Sequence, residues 1–203
     1  MTARNRAQAE HTGDAVAQMM AALLPIHAAL TPDWLVDAAC TAAERSLGAA
    51  FSFVFLEHED GTLECQTPAS DLRRRSHQRA LDALGTVVFR TPIDPKESPQ
   101  LCEALDAGTS VTSTLAGLFG PFVGEERANA ATRELAAEAV CLAPLATAGE
   151  RLGVFMALGG RALDPERVRL LADHVACAAV NLRNADATRE QGAVEAACSI
   201  FDA

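Results

Sequence analysis

The sequence predicts an α+β fold, in which an antiparallel sheet of about six strands is covered on both faces. Two hairpins stand far apart in the chain, one turning at Asp60-Gly61 and the other at the Ala-Gly-Glu of residues 148–150. The strands beside these turns are apolar at consecutive positions, which is typical of sheets covered on two sides. A long amphipathic helix follows the second hairpin. Because hydrophobic residues make up 49% of the 203 residues, one packed domain with appended segments is expected.

The first part of the chain predicts two helices. Apolar residues between Asp14 and Leu30 recur at three- and four-residue steps, and Pro25 is expected to kink this helix. Thr31 fits the N-cap of a second helix, with Pro32 at its first position. Gly48 is expected to end that helix. Residues 1–31 are therefore expected to form a helical segment ahead of the main domain.

The first hairpin supports a sheet that is covered on both faces. In its first strand, Phe51, Phe53 and Phe55 share one face, whereas Val54 and Leu56 share the other. A strand covered on one side only would alternate these apolar residues with polar ones.

The middle of the chain alternates helices and strands. Ser70 is expected to cap a helix, residues 86–93 form a strand, and a short helix runs from Ser98 to Gly108. Next come a β-branched strand ("TSVTSTL"), a loop over 115–124 and a helix ("RANAATRELAAEA"). The second hairpin then supplies two strands, and Asp164 caps the last helix.

Three passages resemble the GAF domain, a family of small-molecule sensors. In "EAVCLAPLATAGERLGVFMAL", Pro144 matches the proline of the family's fifth strand, and Leu152-Gly153-Val154 matches its sixth strand. "EALDAGTSVTS" resembles the passage into strand four, and "LDPERVRLLADHVACAAVNLRNA" resembles the last helix. The resemblance implies a GAF-like (profilin/PAS-like) domain over 32–185, with a helical layer on one face and a ligand-side lid on the other. It also implies a regulatory role: residues 186–203 would form a signalling helix leading to an output module, such as a diguanylate cyclase or a histidine kinase, after Ala203.

Composition argues against several classes of partner. A net charge of −10 disfavours nucleic acid and anionic membrane, both of which attract positive proteins. The basic cluster of Arg73, Arg74, Arg75 and Arg79 is interpreted as a solvated helix face. Apolar runs long enough to cross a membrane are missing, and so is the apolar core of a signal peptide, so a cytoplasmic location is expected.

Catalytic patterns are also missing, and we expect that the chain is not an enzyme. It has neither a nucleophile elbow nor a phosphate loop, and its histidines are dispersed, so no metal site is predicted. For His174, packing is a simpler explanation than haem ligation. One alternative remains from the family, an enzyme that reduces free methionine sulfoxide, for which Cys65, Cys102 and Cys141 would be the candidate thiols.

No cofactor is predicted. The bilin-binding members of the family attach their chromophore to a cysteine, but Ala130 and Ala131 occupy that region here. The motif of the cyclic-nucleotide members is missing as well. An unidentified small molecule remains the expected ligand, and a pocket between the sheet and its lid is the expected site. The loop over 115–124 would gate this pocket, whose candidate wall residues are Phe53, Phe55, Val88, Leu101, Leu105, Leu118, Phe119, Phe122 and Leu142. The alternative is that these side chains fill a core and that the domain only mediates dimerisation or another interaction.

The last helix predicts a homodimer. Apolar residues from Val168 to Ala185 recur at alternating three- and four-residue steps, the spacing of a heptad seam. Pairing with the N-terminal helix across a two-fold axis would bury both apolar stripes. The alternative is that the two terminal helices pack on each other within a monomer. The candidate interface residues are Met19, Met20, Leu23, Leu171, Val175, Ala178, Leu182 and Ala185.

Overall fold

The computed structural model describes residues 17–66, 75–85, 91–147, 149–160 and 163–201. We number the helices and strands in chain order. The helices are α1 (17–27), α2 (Pro32–Ala42), α3 (Arg75–Leu84), α4 (Pro99–Ala107), α5 (Leu115–Val123), α6 (Glu125–Leu135) and α7 (Pro165–Phe201). The strands are β1 (Phe51–Glu57), β2 (Leu63–Gln66), β3 (Val111–Ser113), β4 (Ala139–Thr147) and β5 (Glu150–Gly159).

The five strands form one antiparallel sheet in the order β2-β1-β5-β4-β3. The second hairpin lies at its centre, as its two-sided apolar pattern predicts: β5 pairs with β4 on one side and with β1 on the other. Phe53 of β1 lies opposite Met156 of β5, which in turn lies opposite Leu142 of β4. The α+β class and the sheet covered on both faces are therefore confirmed.

Two groups of helices cover the two faces of the sheet. On the first, which we call the terminal-helix face, α1, α2 and α7 pack on Val54, Ala143 and Phe155. On the second, the internal-helix face, α3 to α6 pack on the phenylalanines of β1 and on residues such as Met156. Since Phe51, Phe53 and Phe55 lie on one face and Val54 on the other, the predicted alternation of β1 is confirmed.

Gly153 allows β5 to pass unusually close to β1. Its φ is +145°, and a Cβ atom built on it would lie 1.9 Å from the carbonyl oxygen of Phe55. Leu145 lies opposite Gly153 but Ala146 lies opposite Arg151, so Leu152 is an extra residue that makes a β-bulge. The glycine of the Leu-Gly-Val pattern is thus required by the backbone of the neighbouring strand.

Several helix ends match their sequence patterns. Thr31 accepts a hydrogen bond from the backbone N–H of Trp34 (3.3 Å), and Pro32 is the first residue of α2. A single π-helical turn, Ala43–Leu47, continues α2 to Gly48, which adopts the left-handed conformation. Asp164 accepts a hydrogen bond from the N–H of Glu166 (3.0 Å) at the start of α7.

The segment expected as a lid loop over 115–124 is instead helix α5, so that prediction is wrong. Thr114 caps the helix by accepting a hydrogen bond from the N–H of Gly117 (3.0 Å). Leu115, Leu118 and Phe119, at helical spacing, are fully buried. This burial and the cap outweigh the low helix propensity of Gly117, Gly120 and Pro121 inside the helix.

Helices α1 and α7 run side by side in the same direction. Near their first turns, Gln18 and Arg167 donate hydrogen bonds to the consecutive carbonyl groups of Arg45 (2.8 Å) and Ser46 (2.5 Å). Further along, Nε2 of His27 and Nδ1 of His174 lie 2.9 Å apart in a hydrogen bond. The two terminal helices therefore pack on each other within one chain.

This packing uses most of the predicted dimer seam inside the protomer. Met19 and Leu23 of α1 join the same core as the seam residues of α7. Five of the eight candidate interface residues are buried inside the protomer, so they cannot contact a second copy of the chain. Their assignment to a dimer interface is corrected accordingly. They are Met19 (6% exposed), Leu23 (4%), Leu171 (0%), Val175 (2%) and Ala178 (5%), whereas Met20 is 59% exposed and Leu182 and Ala185 are half-buried.

Other expectations fall partly outside the described residues. Outside the described residues lie Ser70, Arg73, Arg74 and most of the predicted strand over 86–93. The last residue of that predicted strand, Ile93, is described and forms a β-bridge with Leu63 of β2. Helix α7 continues unbroken through the predicted boundary at 185/186. Among the helices in the described part of the chain, none combines the length and apolar character needed to cross a membrane.

We predict that Gly153→Ala strongly destabilises the protein. The new methyl group would overlap the Phe55 carbonyl, and relieving the overlap would separate β5 from β1. Gly149→Ala is the matched control, because Gly149 also has a positive φ (+88°) but nothing lies within 4 Å of its Cβ position. In denaturant unfolding, we expect a loss of about 1 kcal/mol for the control and of at least about 3 kcal/mol for Gly153→Ala. Equal losses would show that backbone conformation, not close approach, requires the glycine.

We also predict that the His27–His174 contact makes stability depend on pH. Burial, and then the neighbouring His27, lower the pKa of His174 below its ordinary value of 6.5, while Asp173 acts in the opposite direction. The unfolded chain therefore binds the proton more readily than the folded one. The stabilisation from neutral His174 is fully present above pH 6.5 and is lost as the pH falls through the lowered pKa. His174→Gln should flatten this part of the stability profile measured by urea unfolding, and an unchanged slope would contradict the prediction.

Candidate functional site

The structure brings most of the predicted pocket residues together, but as a filled core on the internal-helix face. The rings of Phe53 and Phe55 lie 6.1 Å apart, and Phe119 lies 6.3 Å beyond Phe55 (centroid distances). These side chains therefore pack against one another as part of the hydrophobic core. Phe53, Phe55, Leu101, Leu118, Phe119 and Leu142 are 0% exposed, Leu105 is 7% exposed, Phe122 is half-buried, and Val88 lies outside the described residues.

A cavity of about 650 Å³ lies instead on the terminal-helix face. This volume is within the range of small-molecule sites in proteins. The cavity lies between the start of α2, the middle of α7 and one end of the sheet. Its lining residues are Pro32, Leu35, Val36, Val54, Leu56, Glu57, His58, Glu59, Leu145, Glu150, Arg151, Leu152, Val175, Ala176, Ala179, Leu182, Arg183 and Asp186.

Small residues on α7 help to keep this space open. Ala176 and Ala179 border the cavity where α7 crosses the end of the sheet. Earlier along the same helix, the larger Val168 and Leu171 are fully buried in the core. The β-bulge adds Leu152, which packs against the terminal-helix core and lines the cavity. β-bulges commonly redirect side chains beside functional sites.

One ion pair joins β1 and β5 at the rim of the cavity. Both Nε and Nη2 of Arg151 donate hydrogen bonds to the two carboxylate oxygens of Glu57. The Glu57 side chain is only 8% exposed, and this fork-like pairing satisfies its charge. The pairing raises the pKa of Arg151 further, and Asp106 of α4 adds to the effect from 3.6 Å away.

A second ion pair joins α7 to the hairpin turn. Two guanidinium nitrogens of Arg183 lie 2.6 Å from the two carboxylate oxygens of Glu150. This pairing lowers the pKa of Glu150 and raises that of Arg183. The remaining rim carboxylates are exposed: Asp186 contacts Arg189 of its own helix (2.5 Å), and Glu59 lies in the β1–β2 turn. Lining carboxylates thus outnumber lining guanidinium groups by four to two.

The structure separates the candidate redox thiols. Cys65 lies in the core of the internal-helix face, whereas Cys141 lies in the core of the opposite face. Burial, followed by the negative charge of Asp164, raises the pKa of Cys141 to about 11, so its thiol is protonated at neutral pH and a poor nucleophile. In the described part of the chain, no three His, Cys, Asp or Glu residues are grouped to hold a metal ion.

Sequence reasoning did not identify the residues around the cavity. Leu182 and Val175 were assigned to the dimer seam, and the charges of the second hairpin had no assigned role. One usable observation was that Ala176 and Ala179 place small residues within the apolar stripe of α7. The convergence of α2, β1, β5 and α7 depends on the order of strands in the sheet, which the sequence pattern does not contain.

Comparison with known proteins rests on structure. The sequence matches no protein-family model and no curated protein. The structure is similar to the GAF domain of a phosphoenolpyruvate-protein phosphotransferase (ptsP) from Coxiella burnetii (TM-score 0.57, 15% identity), covering 84% of this chain and 98% of that one. It is similar to the GAF domain of a two-component sensor histidine kinase from Bacillus halodurans (TM-score 0.52, 16% identity), covering 78% and 99%.

A third similar structure is the chromophore-binding domain of the bacteriophytochrome RpBphP3 from R. palustris (TM-score 0.57, 10% identity). The match covers 86% of this chain but only 63% of that domain. At these identities the likeness concerns the fold. Together with the sheet order and the two helical layers, these matches show that the chain has the fold of a GAF domain.

Proposed function

We propose that this chain is a cytoplasmic, non-catalytic regulatory module that binds a small molecule and passes its state through the terminal helices to an output module. The observation that carries the proposal is the position of α7. This one helix is part of the core, forms a wall of the 650 Å³ cavity and continues past it to Phe201.

The contacts of α7 make it suited to transmission. Val175 lies between the core and the cavity, and Leu182 borders the cavity about two turns later. The next residue, Arg183, is paired with Glu150 of β5. Helix α7 is therefore attached to the sheet by an ion pair as well as by apolar contacts. We expect α7 to have two positions relative to the sheet, which differ in how closely these contacts are made. A ligand that binds one position more tightly than the other would shift the population towards that position.

The structural comparisons support a signalling role. Among the similar structures are domains from a sensor histidine kinase and from a methyl-accepting chemotaxis protein, the second with a TM-score of 0.53 and 16% identity. A histidine kinase is accordingly one output module we propose, and a diguanylate cyclase, which the sequence resemblance implies, is the other. Since one similar structure is a chromophore-binding domain, chromophores belong among the ligands to be tested.

We predict that at least one member of a metabolite and chromophore library raises the melting temperature and alters hydrogen exchange in α7. A ligand that binds only the folded state, at a hundred times its dissociation constant, stabilises by about 2.7 kcal/mol. The exchange change should extend beyond Asp186, where α7 has passed the cavity. Exchange in α6, on the opposite side of the sheet, serves as the internal reference.

Two results would contradict this function. If no compound stabilises the protein, the domain has no small-molecule ligand in the library and the interaction role becomes the better explanation. If a compound stabilises the protein but leaves α7 unchanged beyond the cavity, then binding occurs without transmission.

The exposed apolar residues favour a second role, formation of a homodimer. Met20 and Leu24 are one helical turn apart on α1 and are 59% and 70% exposed. Leu170 of the adjacent α7 is 45% exposed, and α1 runs beside this part of α7. Exposed apolar patches of this kind mark interaction surfaces. A two-helix surface of this type can pair with a second copy about a two-fold axis.

We therefore predict that the protein is a dimer at micromolar concentration and that Leu24→Glu shifts it to the 21.3 kDa monomer. The substitution places a charge in the proposed contact without disturbing the core, since Leu24 is exposed. Asn129→Glu, on exposed α6 surface across the sheet, is the matched control and should remain dimeric. Light scattering measures the mass. A monomeric wild-type protein, or a Leu24→Glu variant that stays dimeric, would refute this interface.

A further inference from the structure

We propose that the cavity on the terminal-helix face is a binding site for a small amphipathic cation, with an apolar body and a positively charged amine head. This inference rests on the proposed sensor function and names the site and the ligand class for it. The site is on the opposite face of the sheet from the pocket that the sequence pattern suggested.

The walls of the cavity fit an apolar body. Its floor is the sheet, through Val54 and Leu145, and its sides are Val36 of α2 and Val175 of α7. These four residues are at most 7% exposed, so they offer apolar surface at the bottom of the cavity and not on the open surface of the protein. A ligand body placed there would be removed from water on several sides, which is the main source of affinity in such sites.

The charged side chains at the rim of the cavity determine whether the ligand's head group should be positive or negative. The two guanidinium groups are already engaged: Arg151 is held by Glu57, and Arg183 is held by Glu150. Two further carboxylates, Glu59 and Asp186, line the same rim, and Asp186 is paired with Arg189 of its own helix. With His58 counted as neutral, the lining has a formal charge of −2, or −1 when Arg189 is included. An anionic ligand would have to displace one of the existing ion pairs, whereas a cation would meet an excess of carboxylate. The chain's net charge of −10 acts in the same direction at longer range.

The shape of the site favours a small molecule over a second copy of the chain. The exposed apolar residues proposed for dimer contact, Met20 and Leu170, lie near the first turns of α1 and α7. The cavity lies further along, between Val175 and Asp186 of α7. A dimer formed through those exposed residues would therefore leave the cavity accessible.

Three probes with one body and different heads test the proposal: 3-phenylpropylammonium, 3-phenylpropanol and 3-phenylpropanoate. Each is titrated into the full chain at neutral pH while backbone amide NMR shifts are followed. We expect saturable shifts in α2, β5 and the middle of α7. Because the rim carboxylates Glu59 and Asp186 are exposed, the ammonium probe should bind about two- to fivefold more tightly than the alcohol, and the carboxylate probe most weakly.

Substitutions in the wall of the cavity test whether the probe binds there or elsewhere on the protein. Ala179→Leu should fill the space between α7 and the sheet and weaken binding of the ammonium probe by about tenfold or more. The smaller Ala179→Val should weaken it less, which preserves the test if the leucine variant folds poorly. Ala187→Leu, at an exposed position further along α7, is the control and should bind like the wild type.

Substitution at the rim tests the charge. Glu59→Gln should lower the affinity for the ammonium probe towards that for the alcohol and leave alcohol binding unchanged. Glu126→Gln removes an exposed carboxylate from α6, across the sheet, and should change neither.

The outcomes are distinct. Tighter binding of the ammonium probe that is lost in Ala179→Leu supports the proposal. Equal affinity for the three probes, tighter binding of the carboxylate, or shifts confined to the internal-helix face would overturn it. Shifts at the cavity that appear on raising the protein concentration without a probe would mean that a second copy occupies the cavity, and would overturn it as well. If a library ligand stabilises Ala179→Leu as well as the wild type and still alters α7, the sensor function stands and the cavity assignment fails.

Discussion

The central strand β5 must be buried on both faces while its backbone lies close to β1, and most of the architecture follows from this constraint. Close approach requires Gly153, because the Phe55 carbonyl occupies the place of a side chain. Burial on both faces requires two independent helical layers, since β5 presents Phe155 to one side and Met156 to the other. The chain supplies one layer from its internal helices and the other from α2 and its two terminal helices.

The two layers meet the sheet with different side chains. On the internal-helix face, aromatic rings and leucines interlock, and the residues first considered as a ligand pocket form a core. On the terminal-helix face, α7 carries alanines at positions 176 and 179 where it crosses the end of the sheet, and a cavity remains. The helix that continues beyond the sheet to Phe201 is thus also the helix that borders the cavity.

Sequence patterns predicted those parts of the structure that depend on local chemistry. The turn at Asp60-Gly61, the cap at Thr31 and the two-sided apolar pattern of β4 and β5 each follow from a few consecutive residues. The glycines and aromatic residues of segment 115–124 predict a loop, but burial of Leu118 and Phe119 decides for a helix. Periodicity in α7 correctly indicated a buried stripe, yet periodicity cannot say whether the partner is a second chain or the chain's own sheet. The cavity depends on four segments that meet only through the strand order.

The length of α7 has a mechanical consequence. From Ala178, a buried residue in the core, to Phe201 the helix extends about 35 Å at 1.5 Å per residue. A tilt of about 5° at the cavity would therefore move the far end by about 3 Å, which approaches the width of a water molecule or the height of a strand residue. A change in the tilt of α7 would thus produce a larger displacement at Phe201 than at the cavity.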